Sequence, residues 1–394
     1  MRVVVDGLAI RGENSLSIVS EHLLSGWQRI GAEDEVHLVV RADAGIAVPE
    51  SVAVHVVDAG GGGAAGRGAG RRVATQSVLL PRLCRALDAD VVLAMLPATA
   101  LTPLPCPRAV IAWDFRYRVL PRQFAPTSLL VRRVSHGIGY RQADGVACIS
   151  ERTKADLLRF HPGVARRPVR VAHLGADHVD AWPARTPREG YAIAFGHFAN
   201  KNVHLVLGAW SALCVREAAP LPLRLVGVPA RQQAALEARV AQLGLADVVS
   251  VRPWLTAQQF REEFASSSLV VFPSDFEGFG LPALEAMRLG IPVVITPEPA
   301  LLEVTAGHAT VVDGTGPAAL AGAVERALRV PAESLRAARR HADGFTWANF
   351  ASGVRSLLAE ASGQPGPTAV REGAGGGTSA STATAVSAPA GGEG

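Results

Sequence analysis

Twelve short runs of Val, Ile, Leu and Ala, separated by polar or glycine-containing segments, do most to limit the folds open to this chain. The first six read MRVVVDG, EVHLVVRA, VAVHVVDA, ADVVLAML, RAVIAWDF and DGVACIS. The second six begin near residue 190 and read YAIAFGH, LRLVGV, VVSVRPW, SLVVFPS, PVVITP and ATVVDG. These runs are apolar at consecutive positions rather than alternate ones, so both faces of each strand need cover. Helix-like segments such as SLSIVSEHLLSGWQRIG lie between them. Strands alternating with helices build a parallel sheet wrapped on both sides. The expected class is α/β, with two Rossmann-like, doubly wound parallel-sheet domains.

A chain of 394 residues has room for two cores of roughly 100 to 200 residues each. The strand sets divide it into 1–180 and 190–340, and AWPARTPREG between them, rich in Pro and Arg, reads as a linker. The excursion GGGGAAGRGAGRR at 60–72 lacks the strand-to-helix setting of a phosphate loop, and predicts a flexible surface loop. From 363 to 394 the chain is Gly, Ala, Ser, Thr and Pro with hardly any large apolar group. Such a segment cannot offset its ordering entropy, so a disordered tail is expected.

Several classes are disfavoured. No apolar run approaches the ~20 residues that cross a bilayer, and Met1-Arg2 leads straight into VVVDG without a signal region. A cytoplasmic protein is expected. The four cysteines (Cys84, Cys106, Cys148, Cys214) form no CxxC pair, which argues for reduced thiols rather than disulfides or zinc. Asp88-Ala89-Asp90 invites a divalent cation, but it precedes VVLAML as a helix-to-strand junction would, and the eleven histidines show no HExxH spacing. No metal and no cofactor are expected. The net charge is only +4, yet Arg108 to Arg170 holds 13 Arg or Lys against 4 Asp or Glu. That face suits an anionic membrane surface or a phosphorylated acceptor, or is a solvated arginine-rich face; a nucleic-acid partner is not expected.

The stretch with most chemistry is Phe272 to Val294, FPSDFEGFGLPALEAMRLGIPVV. A strand ends at Ser274, a glycine-rich turn follows at Glu277-Gly278-Phe279-Gly280, and Pro282 stands where a first helical position is expected. Ala283 to Leu289 then predict a short helix closed by Gly290. A strand, a glycine turn and a helix start present free N–H groups and a positive dipole end, which suits a diphosphate. Gly278 and Gly280 let the backbone approach a ligand closely. Glu277 and Glu285, eight positions apart, can accept hydrogen bonds from sugar and ribose hydroxyls. A second constellation, Gly196-His197-Phe198-Ala199-Asn200-Lys201-Asn202, follows YAIAF. Lys154 and Lys201 are the only lysines among 39 basic residues, so a lysine in a motif carries information.

This stretch resembles the signature of retaining glycosyltransferase family 4, the glycosyl transferases group 1. There, two glutamates flank a GFGLP-type turn followed by EAMAxGxPVV. The resemblance extends from about residue 1 to 358 and includes AVIAWDFRYRVLPRQF, ACISERTKADL, VRVAHLGADH, Glu303 to Gly307 and Phe345-Thr346-Trp347. It implies the GT-B fold, an acceptor-binding first domain, a nucleotide-sugar-binding second domain, and a helix at 345–360 that crosses back to the first. It also implies that Glu277 and Lys201 are the catalytic pair, Glu277 near the reacting carbon and Lys201 neutralising the departing diphosphate. Glu285 would take the ribose hydroxyls, while Gly278, Phe279, Gly280 and Leu281 would meet sugar and phosphates. His197, where the family commonly has arginine, falls among the donor-binding positions. Asp114, Gly12 and Glu13 are the implied acceptor or sugar contacts; Trp113 stands where the family has histidine.

The resulting expectation is transfer of a hexose or deoxyhexose from a nucleotide-sugar to a glycan or lipid-linked acceptor, such as a cell-surface polysaccharide precursor, with retention of configuration. The alternatives are a nucleotide-sugar epimerase or phosphorylase of the same fold, and a catalytically silent nucleotide-sugar-binding partner.

Overall fold

The computed structural model describes residues 1–12, 14–31, 33–57, 65–183, 190–216 and 220–364, with the backbone alone at 65–69. Two wholly parallel sheets carry the fold. The first contains β1 (Arg2–Asp6), β2 (Glu35–Arg41), β3 (Val52–Val57), β4 (Val91–Ala94), β5 (Arg108–Ala112), β6 (Gly145–Cys148) and β7 (Val169–Val171), in the order β3-β2-β1-β4-β5-β6-β7. The second contains β8 (Ala192–Phe195), β9 (Leu223–Val226), β10 (Val249–Val251), β11 (Leu269–Phe272), β12 (Val293–Ile295) and β13 (Thr310–Val311), in the order β10-β9-β8-β11-β12-β13.

Central strands are apolar on both faces because helices cover both. Val3, Val4 and Val5 pair in register with β4 at Val91, Val92 and Leu93, and all are buried. At the edge the demand relaxes, and Val54 and Val56 of β3 are exposed. In each sheet the strand order reverses between two central strands, β1 and β4 in one and β8 and β11 in the other. Loops leaving the carboxyl ends of such strands diverge and open a crevice. The chains that follow β8 and β11 therefore meet at residues 196–202 and 273–280.

All twelve apolar runs lie in strands, and one further strand, β7, falls in VRVAHLG, a stretch that carries part of the family resemblance. The glycine-rich excursion behaves differently from the expected loop. Residues 60–64 lie outside the described residues, but from Ala65 the chain is already helical, in Ala65–Ala86. Glycine weakens a helix by only about 1 kcal/mol per residue relative to alanine, a deficit that the following apolar turns offset. Part of the linker, 184–189, and the tail at 365–394 also lie outside the described residues.

The helix Trp347–Ser362, capped by the Thr346 hydroxyl on the Asn349 N–H (3.1 Å), packs on the first sheet and on the helix Ser15–Arg29. Two glycines admit it. A Cβ at Gly26 or at Gly175 would overlap the backbone at Trp347. Arg355 reaches the Asp34 carboxylate, whose side chain is shielded from solvent, at 2.6 Å. Burial opposes the charge on Asp34, but Arg355 and the Met1 ammonium together outweigh it and hold the carboxyl below its ordinary value. The Trp347 indole is 0% exposed. Trp347→Ala is expected to cost roughly 3–5 kcal/mol, read as a lower urea midpoint with an unchanged m-value.

Candidate active site

The site starts from β11, whose four residues Leu269–Phe272 are buried and deliver the chain to the turn at 273–280. Gly280 has φ +102, a left-handed conformation that an L side chain rarely adopts, and forms the N-cap of the helix Leu281–Arg288. Pro282 sits in its first turn. The helix begins two residues before the predicted Ala283, because the glycine cap turns the chain directly into it. It ends at Leu289, with Gly290 at φ +69 just beyond. Its first N–H groups have no partner four residues back, so the turn is a positive end aimed at the crevice. Gly278 is required for a second reason. A Cβ there would strike the carbonyl oxygen of Trp113 in the first domain and lie 3.2 Å from the Asp114 Cβ.

The loop after β8 brings the cation. A short turn at Ala199–Lys201 ends at Asn202, which is left-handed at φ 53. The Lys201 side chain is buried, its Nζ 2.6 Å from Glu277 Oε1 and 4.1 Å from the centre of the Phe272 ring. Asn200 donates through Nδ2 to the Phe276 carbonyl (2.9 Å) and to Glu277 Oε1 (3.3 Å). Asn202 donates to the Pro273 carbonyl (2.8 Å) and to Asp275 (2.6 Å). The two loops are thereby sewn together. Burial lowers the Lys201 pKa from its ordinary value, while Glu277 works to restore it.

Glu285 faces the other way. It is 5% exposed, and its Oε1 lies 3.0 Å from His178 Nε2 on the turn Asp177–Ala181. The Trp347 indole N–H, which can only donate, points at His178 Nδ1 at 3.1 Å. In the neutral ring Nε2 then carries the proton and donates to Glu285. His22 stacks on Trp347 with centroids 5.0 Å apart. The carboxylate implied to bind ribose is thus oriented by a histidine and a tryptophan from outside the motif.

The remaining sequence candidates are placed as follows. His197 lies in an aromatic setting, 4.6 Å from Phe198 and 5.5 Å from Trp254 between centroids. Burial, then Lys201 and Arg116, push its imidazole down to about 3, so it is neutral. Asp114 is exposed beside Gly278, and its Oδ1 accepts the Arg116 backbone N–H at 2.8 Å. Trp113 is anchored by its indole to the Met95 carbonyl at 2.6 Å. Gly12 is exposed at φ +52 just before the helix cap Asn14, and Glu13 lies outside the described residues. Asp90, of the Asp-x-Asp pair, accepts the Arg2 backbone N–H at 2.6 Å.

Contacts between the domains escaped the sequence reading. The Gly278 carbonyl accepts from Ser150 Oγ (2.6 Å) and Thr153 Oγ1 (3.1 Å) at the start of the helix Glu151–Phe160. The Glu303 carboxylate accepts the N–H groups of Glu151 (2.7 Å) and Arg152 (3.1 Å) and contacts His173 Nε2 (2.7 Å). Arg152 pairs with Glu298 at 2.9 Å, and Arg116 donates to Asn200 Oδ1 at 2.6 Å. The one available signal was Ser150 before Glu151, a helix cap pattern that could not name its partner.

Residues 189–329 match the family model described as Glycosyl transferases group 1. That span holds β8 to β13, and both loops of the site. The chain is similar to the D-inositol 3-phosphate glycosyltransferase of Salinispora arenicola (strain CNS-205), 32% identical over 228 residues, which are 54% of this chain and 49% of that protein. The matches span 27% to 53% of the curated relatives' own lengths. Among solved structures, sucrose-phosphate synthase from Thermosynechococcus elongatus superimposes with a TM-score of 0.69 at 16% identity, over 89% of this chain and 96% of that one. Anabaena Alr3699/HepE in complex with UDP and glucose gives a TM-score of 0.66 at 16% identity, over 91% and 99%. The fold is therefore GT-B, two Rossmann-like parallel-sheet domains in one chain.

The buried histidines set a pH response. Burial first, reinforced by neighbouring cations or His178, pushes His22 to about 4 and His136 and His197 to about 3, from 6.5. With folded values below the unfolded one, the unfolded chain binds more protons between about pH 6.5 and 4. Stability therefore falls as pH falls through that window, by roughly 1.4 kcal/mol per pH unit for each histidine. His136→Phe is expected to flatten this slope in unfolding midpoints measured from pH 7 to 4.5.

Proposed function

We propose that this chain is a retaining, metal-independent glycosyltransferase of family 4 that moves a hexose or deoxyhexose from a nucleotide-sugar to a glycan or lipid-linked acceptor. The observation that carries the reading is the buried Lys201–Glu277 pair, 2.6 Å apart, beside the glycine-capped start of the helix Leu281–Arg288. The group 1 match over the second domain and the solved neighbour holding UDP and glucose support it. The second domain binds the donor, and the first presents the acceptor across Trp113, Asp114 and the loop at Gly12.

Chemistry follows from charge. As the bond from the anomeric carbon to the diphosphate breaks, its electron pair leaves on a phosphate oxygen. Lys201 and the amides at 279–281 stabilise that charge from fixed positions, worth a few kcal/mol per donor, roughly 3. Glu277, held by Lys201 and Asn200, meets the donor sugar near the reacting carbon. The acceptor hydroxyl enters on the face the leaving group vacates and passes its proton to the departing phosphate oxygen, so configuration is retained. The packed domains exclude water, which limits hydrolysis of the donor.

The acceptor side has a candidate membrane face. The helix Pro126–Gln142 exposes Leu130, Val131 and Val134 next to Arg132 and Arg133, within the basic segment. The contact proposed here is peripheral, at the inner leaflet, where basic and apolar side chains on one helix face suit an anionic lipid surface; among the described residues no helix is long and apolar enough to cross a membrane. Binding to vesicles containing anionic lipid is expected to weaken steeply between 0.05 and 0.5 M salt and to drop in a Leu130→Ser/Arg132→Gln variant.

Two measurements test the chemistry. Lys201→Ala and Glu277→Gln are each expected to lower kcat about 100-fold or more, whereas Glu285→Ala mainly raises the donor KM. Normal turnover in both of the first two variants removes the proposal. Release of an isomerised nucleotide-sugar without any acceptor marks an epimerase instead.

A further inference from the structure

We propose that Arg116, carried by the first domain, is a ligand of the donor's diphosphate and supplies the second cation of a site whose own loop holds only one. The inference rests on the donor-site reading given above and adds a residue from the opposite domain to it.

Arg116 follows β5, and its guanidinium crosses to the second domain, where Nη1 donates to Asn200 Oδ1 at 2.6 Å, one residue from Lys201. Its Cζ lies 4.7 Å from the centre of the Phe198 ring and 5.3 Å from that of Phe124. The rings fix the plane of the guanidinium and keep water from part of it. Its Nε is buried with no hydrogen-bond partner. Among the described residues no carboxylate lies within ion-pair distance of this guanidinium.

That combination is unfavourable as it stands. A guanidinium has five N–H donors, and one of them is used here. Lys201 is paired with Glu277, whereas among the described residues Arg116 has no carboxylate partner, and its charge adds to the cost of burying Lys201. A dianionic phosphate between the loops would accept from the terminal N–H groups of the fork that Asn200 leaves unused and compensate both cations. The other basic group of the donor loop does not compete for this role, since burial keeps His197 neutral. The position where the resembling family has arginine is therefore uncharged here, and a guanidinium approaches the same loop from across the crevice. Because Arg116 belongs to the first domain, diphosphate binding would also draw the two domains together.

The test uses the full chain and calorimetric titration with UDP, GDP, ADP and dTDP, each beside its nucleoside monophosphate. In the unaltered protein the diphosphate that binds is expected to bind more tightly than its monophosphate. Arg116→Gln is expected to weaken that diphosphate roughly tenfold or more while changing the monophosphate less than about twofold. Arg116→Lys, which keeps the charge but loses the fork, should retain part of the difference and also serves if the glutamine variant folds poorly. Equal weakening of both nucleotides would reduce Arg116 to a strut against Asn200 and overturn the proposal. So would unchanged diphosphate binding with a raised acceptor KM, which would assign the residue to an acceptor phosphate. Lys201→Ala separates the two levels: if it weakens the diphosphate and Arg116→Gln does not, only this inference falls. If neither affects binding, or no nucleoside diphosphate binds the unaltered chain, the donor-site reading falls with it.

Discussion

A lysine and a glutamate held 2.6 Å apart out of water set the terms for the rest of the second domain. Desolvating two charges is expensive, and their attraction compensates only if geometry is tight and further hydrogen bonds complete it. Here completion comes from Asn200, which binds both the Glu277 carboxylate and the Phe276 carbonyl, and from Asn202, whose left-handed backbone lets its side chain reach Pro273 and Asp275. Those bonds are possible because β8 and β11 are neighbours with their carboxyl ends level. The sheet order, rather than the loops, makes the pair.

The first domain closes over that pair through backbone groups as much as side chains. Gly278 offers a carbonyl to Ser150 and Thr153 and, lacking a Cβ, lets Trp113 approach. Glu303 caps the helix at Glu151, and Glu298 is divided between its own helix start and Arg152. Burial raises the Glu298 pKa, although backbone N–H groups and Arg152 offset part of that cost. A polar interface of this kind holds a defined arrangement of the two domains while leaving them able to separate. The helix Trp347–Ser362 ties the chain's end to the first domain while its Trp347 orients His178, and through it Glu285, in the second.

Much of this was legible before the structure. The strand runs were visible because parallel strands buried on both faces have no polar alternation to blur them. Glu277 and Gly280 stood out through the run FPSDFEGFGLPALEAM and the family signature it resembles, and Lys201 because lysine is rare in this arginine-rich chain. Other features left no comparable trace. The run at 65–72 looked like a loop because glycine lowers helix propensity locally, and later turns override it. β7, Val169–Val171, is broken by Arg170 and makes no continuous apolar run. Arg116, His178, Glu298 and Glu303 are ordinary charged residues in sequence, and what distinguishes each is a partner more than eighty positions away.

Sequence by itself therefore determined the two α/β halves and the glycine turn that opens a helix, because each follows from local stereochemistry, and it singled out Glu277 and Lys201 only as separate motif positions. Tertiary structure alone decided that Glu285 turns to His178, that His197 is uncharged, and that an arginine with no carboxylate partner among the described residues enters from the opposite domain. Those outcomes depend on burial and on long-range proximity, which are properties of the packed domains and have no periodicity or spacing along the chain.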